Sequence, residues 1–353
     1  MNSFPISVVM VSGRSVFFQD HAGKEENMKK VLSVLMIALL SVTCIFAAGA
    51  KEDAYVSPVE EELPPMKIVS LKGPTSMGLV EMMDENRDGE DYLFTIEAAP
   101  TAVVPMVVKG EFDAACIPAN LASVLYNKTN GKVQVAGINT LGILYIAENG
   151  DSVHSVEDLR GKTIIASGKG ATPEYALNYI LNAYGLEPGK DVFIEWKAEH
   201  AECLGALNAN EGAVAMLPQP FLTTGLMKNP SIRVALDLND LWEEKIGKQL
   251  LTGVVIIQKE YAEAHEERVR EFLDDYAESV EFVQENRAEA AALIGEFGIF
   301  PEKVAFKALP DCNIVFISGE EMKDALVPYL DILAEQNPMA VGGKVPADDF
   351  YFI

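Results

Sequence analysis

The sequence predicts an α/β protein built as two similar lobes. From Met66 onward, short apolar runs rich in β-branched residues alternate with stretches of helical periodicity, the mark of largely parallel sheets. The order of elements then recurs. Residues 110–123, GEFDAACIPANLAS, set over residues 210–223, NEGAVAMLPQPFLT, with Glu111 over Glu211, Ala115 over Ala215 and Pro118 over Pro218, at a constant offset of one hundred. Each half also places a glycine turn and a proline turn at the carboxyl ends of its strands, where open α/β sheets hold their ligands.

The elements follow in order. Residues 51–65 are acidic and contain proline without periodicity, which reads as a tether. A strand over 66–71 leads through a turn at Gly73, Pro74, Thr75 and Ser76 to a helix over 77–86. Strands over 92–97 and 113–117 flank a helix over 101–109, and Pro118, Ala119 and Asn120 turn the chain into a helix over 121–127. Strands over 133–138 and 141–147 complete a first lobe of residues 66–150.

The second lobe, residues 151–250, opens on Ser155 and Asp158, a capping-box start before Gly161. Residues 162–177, KTIIASGKGATPEYAL, read as a buried strand, a glycine turn and a helix start. Gly168 and Gly170 permit the tight turn. Thr172 suits the N-cap, Pro173 the first helical position, and Gly185 the stop. Residues 67–73 set over 162–168, with the offset shortened by five. A strand over 250–258 returns the chain, so residues 251–353 belong with the first lobe. Helices over 259–286, 288–297 and 320–334 follow, the first with Val269, Phe272, Leu273, Tyr276, Val280 and Val283 on one face.

The chain has 353 residues and a net charge of −25, which argues against nucleic acid and anionic membrane surfaces as partners and suits a soluble monomer. Met28, Lys29 and Lys30 precede an apolar run over 31–46, too short for a comfortable membrane span, and then Ala48, Gly49 and Ala50. Residues 1–50 therefore read as an upstream extension and a signal peptide starting at Met28. Cys44 supports the alternative of a lipid anchor. Cys116, Cys203 and Cys312 read as buried thiols, and His200 with Cys203 as two helix residues rather than a metal pair. Gly161, Lys162 and Thr163 mimic the end of a P-loop, but Val156 stands where its first glycine belongs, so no nucleotide site and no cofactor are expected. If the lobes face each other, four turns converge on a cleft: 73–76, 118–120, 168–172 and 218–220. Hydroxyls, amides and helix N-termini would line it.

The chain resembles the substrate-binding proteins of bacterial ABC importers, in the nitrate, sulfonate, taurine and thiamine-precursor group. The likeness runs through Gly110, Glu111, Phe112, Asp113, Ala114 and Ala115, then residues 155–164, 172–192 and 266–283, within about 66–297. It implies a two-lobed periplasmic-binding-protein fold of type II, with two Rossmann-like lobes and a hinge. It further implies an extracytoplasmic protein that traps a small anionic or heteroaromatic solute and delivers it to permease subunits in the inner membrane. Carried over position by position, the ligand contacts fall on Thr75, Ser76, Asn120, Lys169, Gly170, Ala171, Thr172, Pro218 and Gln219. Aromatic platforms, where used, would be Phe221, Tyr175, Trp196 or Trp242. Two alternatives stand beside this: an enzyme on the same fold, with Lys169, Glu174, His200 and Cys203 as its thin set of reactive groups, and a solute sensor serving a membrane receptor.

Overall fold

The computed structural model describes residues 63–353. The expected leader, the Cys44 anchor and residues 51–62 of the tether lie outside the described residues. In chain order, β1 (Met66–Leu71) passes through the short helices α1 (Pro74–Met77) and α2 (Val80–Glu85) to β2 (Tyr92–Glu97). Then come α3 (Pro100–Lys109), β3 (Ala114–Pro118), α4 (Ala119–Thr129) and β4 (Val133–Leu141). The chain crosses over into β5 (Leu144–Asn149), β6 (Thr163–Ala166), α5 (Thr172–Ala183), β7 (Phe193–Trp196) and α6 (His200–Ala209). It continues through β8 (Val214–Pro218), α7 (Phe221–Lys228), β9 (Ile232–Asp237) and α8 (Leu238–Ile246). It returns as β10 (Leu251–Gln258), α9 (Lys259–Ala264), α10 (Glu266–Glu285), α11 (Arg287–Glu296), α12 (Glu302–Ala308), β11 (Ile314–Ile317) and α13 (Gly319–Gln336).

Two mixed sheets result, in the orders β11-β4-β10-β3-β1-β2 and β7-β6-β8-β5-β9. The duplication is visible in the pairing. β1 lies parallel between β2 and β3, and β6 lies parallel between β7 and β8. Beside each trio runs one antiparallel strand that has crossed from the other lobe, β10 in the first sheet and β5 in the second. β5 follows β4 closely in the chain and was expected in the first lobe, yet it pairs with β8 and β9 of the second. The crossing falls at Gly142 and Ile143, where two adjoining apolar strands give no signal of the change.

The strand registers correct the internal alignment as well. Ile68 pairs with Phe94 and Ala114, and Ile164 pairs with Ile194 and Val214, so Ile164 is the structural equivalent of Ile68. The strand offset is thus shortened by four rather than five, with Thr163 standing where Lys67 stands. Most of β1 is buried, on both faces, so its sequence shows no clean alternation from which the register could be read.

Helices pack outside both sheets. α10 buries Val269, Phe272, Tyr276, Val280 and Val283 against the first lobe, as its periodicity predicts. The helix expected over 259–286 is broken at His265 into α9 and α10, and the one expected over 77–86 is two short helices flanking Gly78. Gly78 lies tight against the core: a Cβ there would sit 3.2 Å from Ile314 and Val280. β9, α8 and α12 were not anticipated. α13 continues through Pro328, and its Tyr329 packs at 5.8 Å from Trp242 of α8, so the C-terminal helix touches the second lobe too.

Side-chain amides tie down the first crossing. Asn239 accepts from the Leu144 N–H at 3.1 Å and donates back to its carbonyl at 3.3 Å, while the Asn313 amide donates to the Gly142 carbonyl. Gly142 has no room for a side chain, since a Cβ there would run into Asn239 Oδ1.

Candidate functional site

A cavity of about 700 Å³ lies between the lobes. The first lobe contributes the turn after β1, the start of α3, Pro118 and Thr252. The second contributes the turn from Ser167 to Pro173, the start of α6, and Pro218, Gln219 and Phe221. The loop between α11 and α12 closes one side with Ile299, Phe300 and Pro301. These are the carboxyl ends of the central strands, as the switch-point rule requires.

Thr75, Ala171, Thr172, Pro218 and Gln219 line the cavity, whereas Ser76, Asn120, Lys169 and Gly170 do not. Several of these polar groups are already engaged. Thr75 Oγ1 donates to the Leu71 carbonyl at 2.9 Å, and Ser76 Oγ donates to the Gly73 carbonyl at 3.0 Å. Gln219 Oε1 accepts from the Thr223 hydroxyl at 2.8 Å. Asn120 is fully buried and bridges the lobes: its amide donates to the Ala340 carbonyl at 3.0 Å and to the Gly170 carbonyl of the second lobe at 3.3 Å. Lys169 is exposed, and the Gly170 N–H donates to Glu174 at 2.6 Å.

Thr172 was expected to cap α5, but Ala171 occupies the N-cap position and Thr172 is the first helical residue. Its hydroxyl turns instead to Tyr329 at 3.2 Å and Asn120 at 3.4 Å. Burial pushes the Tyr329 phenol far above its ordinary range, so it remains a neutral partner.

Of the four aromatic candidates, Phe221 alone lines the cavity. Trp242 is in the core between Tyr179 and Tyr329, Tyr175 is buried, and Trp196 packs against the main core. Phe221 meets Phe300 of the first lobe edge-on, with ring centres 5.0 Å apart, and His200 of its own lobe at 5.4 Å.

Sequence reasoning passed over Ser167, Phe300 and Thr252, and it named His200 only as a reactive group of the enzyme alternative and as half of a rejected metal pair. Ser167 Oγ and His200 Nδ1 are 2.5 Å apart, at the end of β6 and the start of α6. Desolvation holds the His200 imidazole down to about 4, so it is neutral near pH 7. The Cys203 thiol, one turn along α6, also reaches the Ser167 hydroxyl, and burial pushes it up. Thr252 Oγ1 is buried without a hydrogen-bond partner. The pairing of Ser167 with His200 joins separate strand ends of one sheet, which spacing along the chain does not reveal. Among the described residues, no cluster of His, Cys, Asp or Glu could hold a metal ion, and no helix is long and apolar enough to cross a membrane.

The family profile described as ABC transporter, phosphonate, periplasmic substrate-binding protein matches residues 79–299. No curated protein matches the chain in sequence. Among solved structures, an ABC transporter protein from Parabacteroides distasonis is similar at 25% identity and a TM-score of 0.70, over 82% of this chain and 99% of that one. The periplasmic aliphatic sulphonate binding protein SsuA of Escherichia coli superposes with a TM-score of 0.67 at 16% identity, over 82% and 92% of the two chains. The alkanesulfonate-binding protein SsuA of Xanthomonas axonopodis pv. citri, bound to MOPS, gives 0.64 at 16% identity, over 81% and 96%.

Proposed function

The chain belongs to the family of periplasmic substrate-binding proteins of ABC transporters, and on that premise we propose that it captures one small solute between its lobes and hands it to permease subunits in the inner membrane. It acts as a monomer, exported by a leader that starts at Met28, and it catalyses no reaction. The solute is a small sulfonate-like or nitrate-like anion, or a heteroaromatic ring of the pyrimidine kind. The observation that carries this reading is the cavity of about 700 Å³, walled by both lobes and sized for a small molecule. Closure of the lobes over a solute is favoured only by the solute's differential affinity for the closed form.

The cavity supports binding better than catalysis. His200 contacts the Ser167 hydroxyl, but among the described residues no carboxylate accepts a hydrogen bond from the imidazole to orient it, and the other titratable groups lining the cavity, Lys72 and Glu199, are exposed. Native mass spectrometry of the exported chain tests the proposal. A bound small mass that is lost on denaturation, and that restores the complex when added back, is the expected result. A compound that binds and leaves with an altered mass would instead establish an enzyme.

A further inference from the structure

The walls of the cavity carry very little charge. Among the described residues that line it there is no arginine; the lysine is Lys72, which is exposed, and Glu199 offsets it. A phosphonate or sulfonate transferred into such a site loses its hydration and needs strong donors in return. Helix N-termini are the usual substitute for cations; four of those at the cavity are blunted, while α4 and α7, which start beside the lining residue Pro118 and at the lining residue Phe221, carry no proline in their first two positions. α1, α3 and α5 each carry proline in the first two positions, Pro74, Pro100 and Pro173, and each proline removes an N–H. α6 has Glu199 at its N-cap, and the Glu202 carboxylate accepts the Ala198 N–H at 3.2 Å. The chain's net charge of −25 adds a field that disfavours anions.

What the cavity does offer is mainly apolar surface, the Gln219 amide and Thr252 hydroxyl, and one polar pair that joins two strand ends. Leu71, Pro118, Ile143 and Ile299 line it together with the rings of Phe221 and Phe300. Among them sits His200, with Nδ1 committed to the buried Ser167 hydroxyl. Among the described residues no hydrogen bond involves its Nε2. If the serine donates to Nδ1, Nε2–H is a free donor; if Nδ1–H donates to the serine, Nε2 is a free acceptor. In either tautomer the pair presents one uncharged hydrogen-bonding group beside an aromatic wall.

We propose that the Ser167 and His200 pair is the polar recognition element of this cleft, and that it selects a flat, apolar-bodied solute with an uncharged hydrogen-bonding edge over phosphonates and sulfonates. This rests on the reading of the cleft as the solute site. His200 is the specificity-determining residue and Ser167 the positioning residue that fixes its ring.

The test is calorimetric titration of the full exported chain at pH 7.5 with cytosine, nicotinamide, methylphosphonate and taurine. At least one of the two uncharged rings binds, and both anions bind more weakly or not at all. His200→Ala weakens the ring by about tenfold, the loss of one hydrogen bond to a neutral group, and His200→Asn recovers part of it. Ser167→Ala gives a smaller loss, and urea midpoints check that the variants remain folded. His200→Lys shifts the preference toward methylphosphonate, a change that a purely structural role would not produce. Tighter binding of either anion than of both rings by the unaltered chain overturns the inference while leaving the binding-protein reading intact. Binding of none of the four overturns the inference too, and if the native spectrum also retains no small mass, the binding-protein reading falls with it.

Discussion

Ser167 and Thr172 lie five residues apart, at the end of β6 and the start of α5, and both line the cavity, yet their hydroxyls are engaged differently. The Thr172 hydroxyl meets Tyr329 of the C-terminal helix and Asn120 of the first lobe. Ser167 turns toward His200, whose far nitrogen has no hydrogen bond among the described residues. One side of the interlobe boundary is thus closed by the Thr172 hydrogen bonds and by the packing of Trp242, whose Nε1 is buried without a partner among the described residues, and the other is walled by the Phe221 and Phe300 rings. A polar residue at a cleft is a candidate ligand contact only after its own hydrogen bonds have been counted.

Trp242→Ala tests the sealed side most severely. Trp242 is 1% exposed and packs on Tyr179 and Tyr329, so truncation is expected to cost about 3–5 kcal/mol in urea unfolding. Loss of under about 1 kcal/mol would show that this side is loosely packed. Gly142→Ala comes next, at about 1–3 kcal/mol, because the added Cβ collides with Asn239 Oδ1. Thr172→Val is expected to cost about 1 kcal/mol of stability by stranding its polar partners, and its effect on solute affinity follows from that loosening rather than from a lost contact. An affinity loss in Thr172→Val with unchanged stability would break the contrast with Ser167.

A pH series sharpens the other side. His200 is held down to about 4 in the folded chain, against an ordinary value near 6.5. Between those values the unfolded chain binds a proton that the folded chain refuses. This contribution to stability is therefore full above about pH 6.5 and declines as pH falls toward about 4. His200→Asn should flatten that part of the urea-midpoint curve, and an unchanged slope would place the proton elsewhere. The smallest effect is expected at Lys169→Ala, which is exposed and does not line the cavity: under about 0.5 kcal/mol in stability and no change in solute affinity.

Much of this architecture is legible along the chain. β1 and β2 fall on the expected residues 66–71 and 92–97, and the offset of one hundred between Pro118 and Pro218 marks the ends of β3 and β8. Helical periodicity likewise singles out the buried face of α10. The four turns around the cleft are legible too, because glycine and proline punctuate the chain for local reasons. Less legible is which side chain of a turn faces the cavity. Asn120 and Thr172 look like ligand contacts by position, but their partners, Ala340 and Tyr329, come from a turn and a helix more than a hundred residues later.

Periodicity, turn chemistry and internal repetition are properties of neighbours in the chain, and they sufficed for the fold class, the two lobes and the location of the cleft. The lobe that β5 joins, the one-residue register of β6 and the meeting of Ser167 with His200 are properties of neighbours in space. A doubly buried strand carries the same apolar composition in either sheet and in either register, and a hydroxyl reads the same whether its partner is a helix or a solute. Packing alone chooses among those equivalents, because only in the folded chain do a polar group's partners come within reach.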